Sequence, residues 1–182
     1  MAKKDREINR PLRIFLAGFM GAGKTSAGRE LARLLRLPFR DTDEEVRRSS
    51  GLSAGEFILR RGLAAFRKAE DAALRGLAAG GPAVVALGGG VYPSPRRRGL
   101  FRKAGVTVWV RRPLAEMLKL ASTAGGRPLL ARGSAGALRR LFARRKKFYE
   151  MCDLRVNAAG LKPAAAALKI RRQLEKNGVI AA

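Results

Sequence analysis

The chain has 182 residues, 47% of them hydrophobic, which suits one compact domain with a real core. Against 14 Asp and Glu stand 39 Lys and Arg, a formal charge of +25, with no histidine and a single cysteine, Cys152. Ser-His-Asp triads, zinc–histidine sites, phosphohistidine relays and an internal disulfide are thereby excluded, so any general base must be a carboxylate, a lysine, a tyrosine or that thiol.

Residues 1–12, MAKKDREINRPL, read as a basic tail without the apolar stretch of a signal peptide. No run approaches the roughly 20 apolar residues of a membrane span, so a cytoplasmic protein is expected. From residue 13 to 182 short β-rich runs alternate with helical patterns: RIFLA (13–17), PFRDT (38–42), AVVAL (83–87), VTVWV (106–110) and LRVN (154–157) predict five strands. Ala27, Leu31, Leu34 and Leu35 share one helical face; Phe66, Ala69, Ala73 and Leu77 share another; Ala167, Ile170 and Leu174 mark a C-terminal amphipathic helix. Strands separated by helices need crossovers, so the pattern predicts an α/β sandwich of three layers, a mostly parallel five-stranded sheet with helices on both faces. The exception is STAGGRPLLARGSAG, 122–136, rich in Gly and Ser and without a period, where a mobile loop is expected. Cys152 reads as a small semi-buried residue.

The chemistry starts directly behind the first strand. Gly18, Gly23, Lys24 and Thr25 match G-x-x-x-x-G-K-[ST] between a strand and a helix, the context that makes this pattern a phosphate loop. Glycines let backbone N–H groups wrap a phosphate, and the helix N-terminus adds its partial positive charge. Lys24 is expected to reach the β- and γ-phosphates, and the Thr25 hydroxyl to bind Mg²⁺.

Asp41 and Asp43 fall at the end of the second strand, which a right-handed crossover sets beside the phosphate loop. An N-cap for the following helix is an alternative reading of Asp43, compatible with a site role. Gly88, Gly89 and Gly90 end the central-looking strand AVVAL, either as a tight turn or as bare backbone that a ligand can approach. Arg67 and Glu70, three apart on one helix, form either a surface ion pair or an oriented anion contact.

The positive charge is dispersed over RRR (96–98), RRKK (144–147) and RR (171–172), without interleaved aromatics. Solvated helix faces are expected rather than nucleic-acid recognition, with some of these arginines serving small anions.

Together GFMGAGKTS, DTD, FRKAE, ALGGGV, GRPLL and RRKKFY, in that order from residue 13 to about 157, resemble the shikimate kinases. The phosphate loop alone is widely shared; the combination is specific. The resemblance implies a P-loop, nucleoside-monophosphate-kinase-like fold with a lid at 122–136. It also implies transfer of the γ-phosphoryl of ATP to the 3-hydroxyl of shikimate, with Mg²⁺, in chorismate and aromatic amino acid biosynthesis. By position, Gly21, Ala22, Gly23, Lys24, Thr25 and Ser26 would hold the ATP phosphates and Asp41 would join Thr25 at the metal. Asp43 would bind the acceptor hydroxyls as the candidate base. Arg67 would hold the acceptor carboxylate, Gly88, Gly89 and Gly90 would line its pocket, and Arg127 would come from the lid. A second carboxylate-gripping arginine matches Arg145 when aligned on Tyr149, or Arg144 when aligned on Asp153. A monomer acting on ATP and shikimate, with no membrane or nucleic-acid partner, is expected.

The chain departs from the family in three ways. Leu63 stands where a Glu usually follows the glycine before FR..E, and Lys119 and Leu120 stand where an arginine usually meets the adenine. The net charge also exceeds what the chemistry needs. The competing readings are a P-loop kinase of another hydroxy acid such as gluconate, and a non-enzymatic basic P-loop protein binding nucleic acid.

Overall fold

Ile14 to Ala17 are apolar without alternation because both faces of the strand are covered, and every residue from Arg13 to Ala17 is buried. The structure is a computed structural model and describes residues 12–92, 94–123 and 135–181. Its elements run β1 (Arg13–Ala17), α1 (Lys24–Leu35), β2 (Phe39–Asp41), α2 (Thr42–Ser50), α3 (Ala54–Ala79) and β3 (Ala83–Ala86). They continue as α4 (Pro95–Ala104), β4 (Val106–Arg111), α5 (Leu114–Thr123), α6 (Ala135–Tyr149), β5 (Leu154–Asn157) and α7 (Pro163–Lys176).

All four strand pairs are parallel and the order is β2-β3-β1-β4-β5. The five expected strands are present, but β1 takes the central place and AVVAL lies beside it. Both runs are fully buried, so apolar continuity alone could not rank them.

Alternate residues of the sheet feed opposite layers. Phe15, Val85 and Trp109 pack with Leu74 of α3, Phe101 of α4, Met117 of α5 and Tyr149 of α6. On the other face Ile14, Leu16, Val84 and Val108 pack with Leu31 of α1 and Ile170 and Leu174 of α7. The C-terminal helical face read from sequence, Ala167, Ile170 and Leu174, is fully buried there. Cys152 is more buried than expected, and that burial pushes its thiol up to about 12, away from the thiolate form.

A third, smaller cluster joins Val46 of α2 to Phe57 and Phe66 of α3. Ser53 and Glu56 close a reciprocal capping box at the start of α3. Gly62 interrupts that helix at φ 81°, ψ 161°, a conformation open essentially to glycine alone.

The helix cap differs from one sequence expectation. Asp41 caps α2, its Oδ1 accepting from the Asp43 N–H at 3.0 Å, while Asp43 itself sits in the first turn. The strand ends one residue earlier than PFRDT suggested, so the cap moves back with it.

Candidate active site

The phosphate loop links β1 to α1. Gly23 precedes the helix at φ 85° and supplies no side-chain cap, and the first turn carries no acidic residue. The orphan N–H groups and the positive end of the dipole therefore face the loop. Gly21 is required for a different reason: a Cβ there would stand 1.9 Å from the backbone oxygen of Met117, so α5 docks directly on the loop. Lys24 is buried, and its Nζ donates to the carbonyls of Gly18 at 2.9 Å and Phe19 at 3.1 Å.

Although β3 separates β2 from β1, the end of β2 reaches the phosphate loop. The Thr25 hydroxyl donates to Asp41 Oδ2 at 2.9 Å. A hydroxyl and a carboxylate oxygen side by side at a phosphate loop are hard donors of the kind Mg²⁺ takes, since it keeps most of its waters and needs only one or two protein oxygens. Among the described residues no group of three or more acidic or cysteine side chains is placed to hold a metal.

A second cluster surrounds the Gly88–Gly90 turn. Thr42, fully buried, accepts from the Gly88 N–H at 2.6 Å and thereby ties the turn to α2. A Cβ at Gly88 would meet Asp43 Oδ1 at 2.1 Å and Glu70 Oε1 at 3.1 Å, and one at Gly90 would meet an Arg67 terminal nitrogen at 1.6 Å. Arg145 donates to the Gly89 carbonyl at 2.6 Å, whereas Arg144 is exposed. Of the two alignments, the structure brings Arg145 to the turn. Asp153 instead accepts from the Thr107 N–H and hydroxyl, fastening the start of β5 to β4.

Glu70 is buried and ion-paired with Arg67, so this is not a solvated surface pair. Burial pushes its carboxyl above the usual range, opposed by Arg67, Arg97 and Arg145. Burial likewise raises the Tyr149 hydroxyl well above the ordinary phenol range, with Arg145 opposing. Arg97 was not singled out by the sequence. It donates to the Gly90 carbonyl at 3.0 Å and to Asp71 at 2.8 Å, so the middle residue of RRR buttresses the turn rather than coating a solvated face.

A cavity of about 450 Å³ opens beside the phosphate loop, between Thr25 and Ser26 on one side and Leu120 and Pro163 on the other. Arg112 and Glu116 line it too. Neither was a sequence candidate, though an Arg and a Glu four apart at a strand-to-helix turn was a readable pair. Arg127 and residues 124–134 of the expected lid lie outside the described residues.

A parallel sheet of this order, with a phosphate loop closing its central strand and an arginine-lined cleft alongside, defines a P-loop kinase of the nucleoside-monophosphate-kinase type. The shikimate kinase family model matches residues 20–175. A shikimate kinase of Paramagnetospirillum magneticum is 38% identical over 88% of this chain and 83% of its own, and that of Aquifex aeolicus is 35% identical over 92% and 99%. The chain belongs to the shikimate kinase family. Among solved structures, the Acinetobacter baumannii shikimate kinase in complex with shikimate aligns with a TM-score of 0.85 at 30% identity, covering 93% of this chain and 95% of that one. The Aquifex aeolicus enzyme aligns with a TM-score of 0.81 at 34% identity, covering 92% and 98%.

Proposed function

We propose that this chain transfers the γ-phosphoryl of ATP to the 3-hydroxyl of shikimate, giving shikimate 3-phosphate and ADP. The observation that carries this reading is the convergence of Asp43, Arg67 and Arg145 on the Gly88–Gly90 turn, in a chain of this family and next to a phosphate loop. Two guanidinium groups suit a carboxylate, and a carboxylate beside bare glycine backbone suits a hydroxyl.

In this reading residues 13–182 act as one kinase domain, with 122–136 as lid and residues 1–12 as a tail. The backbone of residues 21–26 cradles the phosphates, and Lys24 turns from the loop carbonyls to the transferring group. Asp43 orients the acceptor hydroxyl and takes its proton. Arg67 and Arg145 hold the carboxylate, and Arg127 approaches phosphate from the lid. Thr25 and Asp41 would hold Mg²⁺, which when bound neutralises charge on the β- and γ-phosphates. The same reading takes the enzyme as a cytoplasmic monomer, with the surplus positive charge drawing anionic substrates to the cleft.

The test is incubation with Mg·ATP and a panel of hydroxy acids and nucleoside monophosphates, reading phosphorylation by mass. Shikimate is expected to be the one good acceptor; faster phosphorylation of gluconate or a nucleotide overturns the reading. Replacing Gly90 with alanine is expected to swing Arg67 aside rather than unfold the chain, because the atom in the way ends a flexible side chain. Loss of one charge-assisted contact should raise the shikimate KM roughly tenfold and leave the ATP KM unchanged. Arg67→Lys, which keeps charge but loses the fork, should show the same split. Equal rises in both KM values would remove Arg67 from the acceptor side.

A further inference from the structure

Arg112 sits at the turn from β4 into α5, and its side chain is only 6% exposed. Its three nitrogens go to three different elements. Nε donates to the Ala22 carbonyl in the phosphate loop at 3.1 Å, one terminal nitrogen donates to the Leu161 carbonyl at 2.7 Å, and the other pairs with Glu116 of α5. Glu116 in turn accepts from the Gly160 N–H at 3.2 Å with both oxygens. The guanidinium also lies against Gly23, where a Cβ would stand 3.7 Å from Nε.

Together these contacts tie the β4-to-α5 turn to the phosphate loop and to the 160–163 connection, all of which line the same cavity. The phosphate loop, α5 and the 160–163 connection meet nowhere else through a single side chain among the described hydrogen bonds. A part-buried ion pair of this kind is weak evidence for stability, and the fixed geometry rests on the guanidinium fork engaging three partners at once. Because Glu116 offsets the charge of Arg112, the pair adds little net positive potential for phosphate. Its effect has to come from holding the walls at a set separation.

We infer that Arg112, oriented by Glu116, is a positioning residue for the nucleotide, fixing the phosphate loop against the 160–163 connection before ATP enters. This rests on the reading of the cavity as the nucleotide site. Leu120, which lines the same cavity in place of the family's usual arginine, leaves the base an apolar wall, and that raises the share of affinity that depends on the cavity being pre-shaped.

The decisive measurement is ADP binding by titration calorimetry without shikimate, alongside the melting temperature of the ligand-free protein. Arg112→Ala is expected to weaken ADP by about tenfold or more, the equivalent of one to two charged hydrogen bonds. Glu116→Ala should weaken it in the same direction, and the double variant should be no weaker than Arg112→Ala alone. Arg112→Lys keeps the charge without the fork and should recover little of the loss; full recovery would make Arg112 a simple cation and overturn the strut. In turnover assays the ATP KM should rise while the shikimate KM stays put, a split that a merely structural role would not produce. An unchanged ADP affinity in a folded Arg112→Ala protein overturns the proposal, and if that variant does not fold, an unchanged affinity in Glu116→Ala does so. Wild-type protein that binds ADP but does not phosphorylate shikimate would sink the proposed acceptor and leave the strut standing.

Discussion

Replacing Lys24 with alanine is expected to lower kcat by about 10³-fold or more while leaving a folded protein, since cations and donors aimed at a transferring phosphoryl group are worth 10²–10⁵. In the structure its ammonium donates to the carbonyls of Gly18 and Phe19, so it holds the loop together as well as carrying charge. Removing it costs the loop two hydrogen bonds, which should weaken ATP binding and lower the melting temperature slightly. The larger loss belongs to the transition state, where negative charge spreads over the oxygens in transit. Single-turnover chemistry with saturating ATP and shikimate separates the two effects. A folded variant with near wild-type chemistry would show that the ammonium serves the loop alone.

The second large effect concerns the two aspartates of DTD. Asp43→Asn keeps the shape of the side chain beside Gly88 but removes its basicity, and kcat should fall by about 10²–10⁴-fold with Mg·ATP affinity nearly unchanged. Asp41→Asn is a clean comparison, because asparagine is as good an N-cap as aspartate and still accepts from the Asp43 N–H. What it loses is charge beside the Thr25 hydroxyl. A raised Mg²⁺ requirement with a milder loss at saturating metal is expected, and Mg²⁺ titration of the ADP complex should show weaker metal binding directly. If excess Mg²⁺ rescues Asp43→Asn and leaves Asp41→Asn inactive, the roles are exchanged.

Much of the layering could be read from the chain because parallel strands covered on both faces leave near-continuous apolar runs, as in β1 and β3. The edge strand β5 shows itself by alternation, with buried Leu154 and Val156 alternating with exposed Arg155 and Asn157. Strand order was less legible. Nothing in PFRDT says that β3 will lie between it and β1, since that order is set by which helices cover which face. The phosphate loop and the glycine turn were visible because their backbone demands are local. The roles of Thr42 and Arg112 were not, because each acts on a backbone group far away in sequence. The Thr42 hydroxyl and the Gly88 N–H are 46 residues apart, and Arg112 reaches the Ala22 carbonyl from 90 residues away, while Arg97 is anchored by Asp71 on another helix, 26 residues off. Arginines were so numerous that none of these stood out by composition. The cap at Asp41 was missed by two residues for a local reason, the shortness of β2.

The kink at Gly62 has a consequence for local opening. A Cβ there would meet nothing within 4 Å, so the glycine is present for its torsion and not for space. It divides α3 into a stretch that carries Phe57 to Val46, and a stretch that carries Phe66 to the same small cluster and Leu74 into the main core. The smaller cluster buries far fewer side chains than either face of the sheet, so it should open at a lower free energy than the strands do. In native-state hydrogen exchange, amides of α2 and of α3 before Gly62 should lose protection together and ahead of β1, β3 and β4. An acceptor bridging Asp43 on one side of that boundary to Arg67 on the other would slow this exchange, so that its binding registers as protection across a whole subglobal unit.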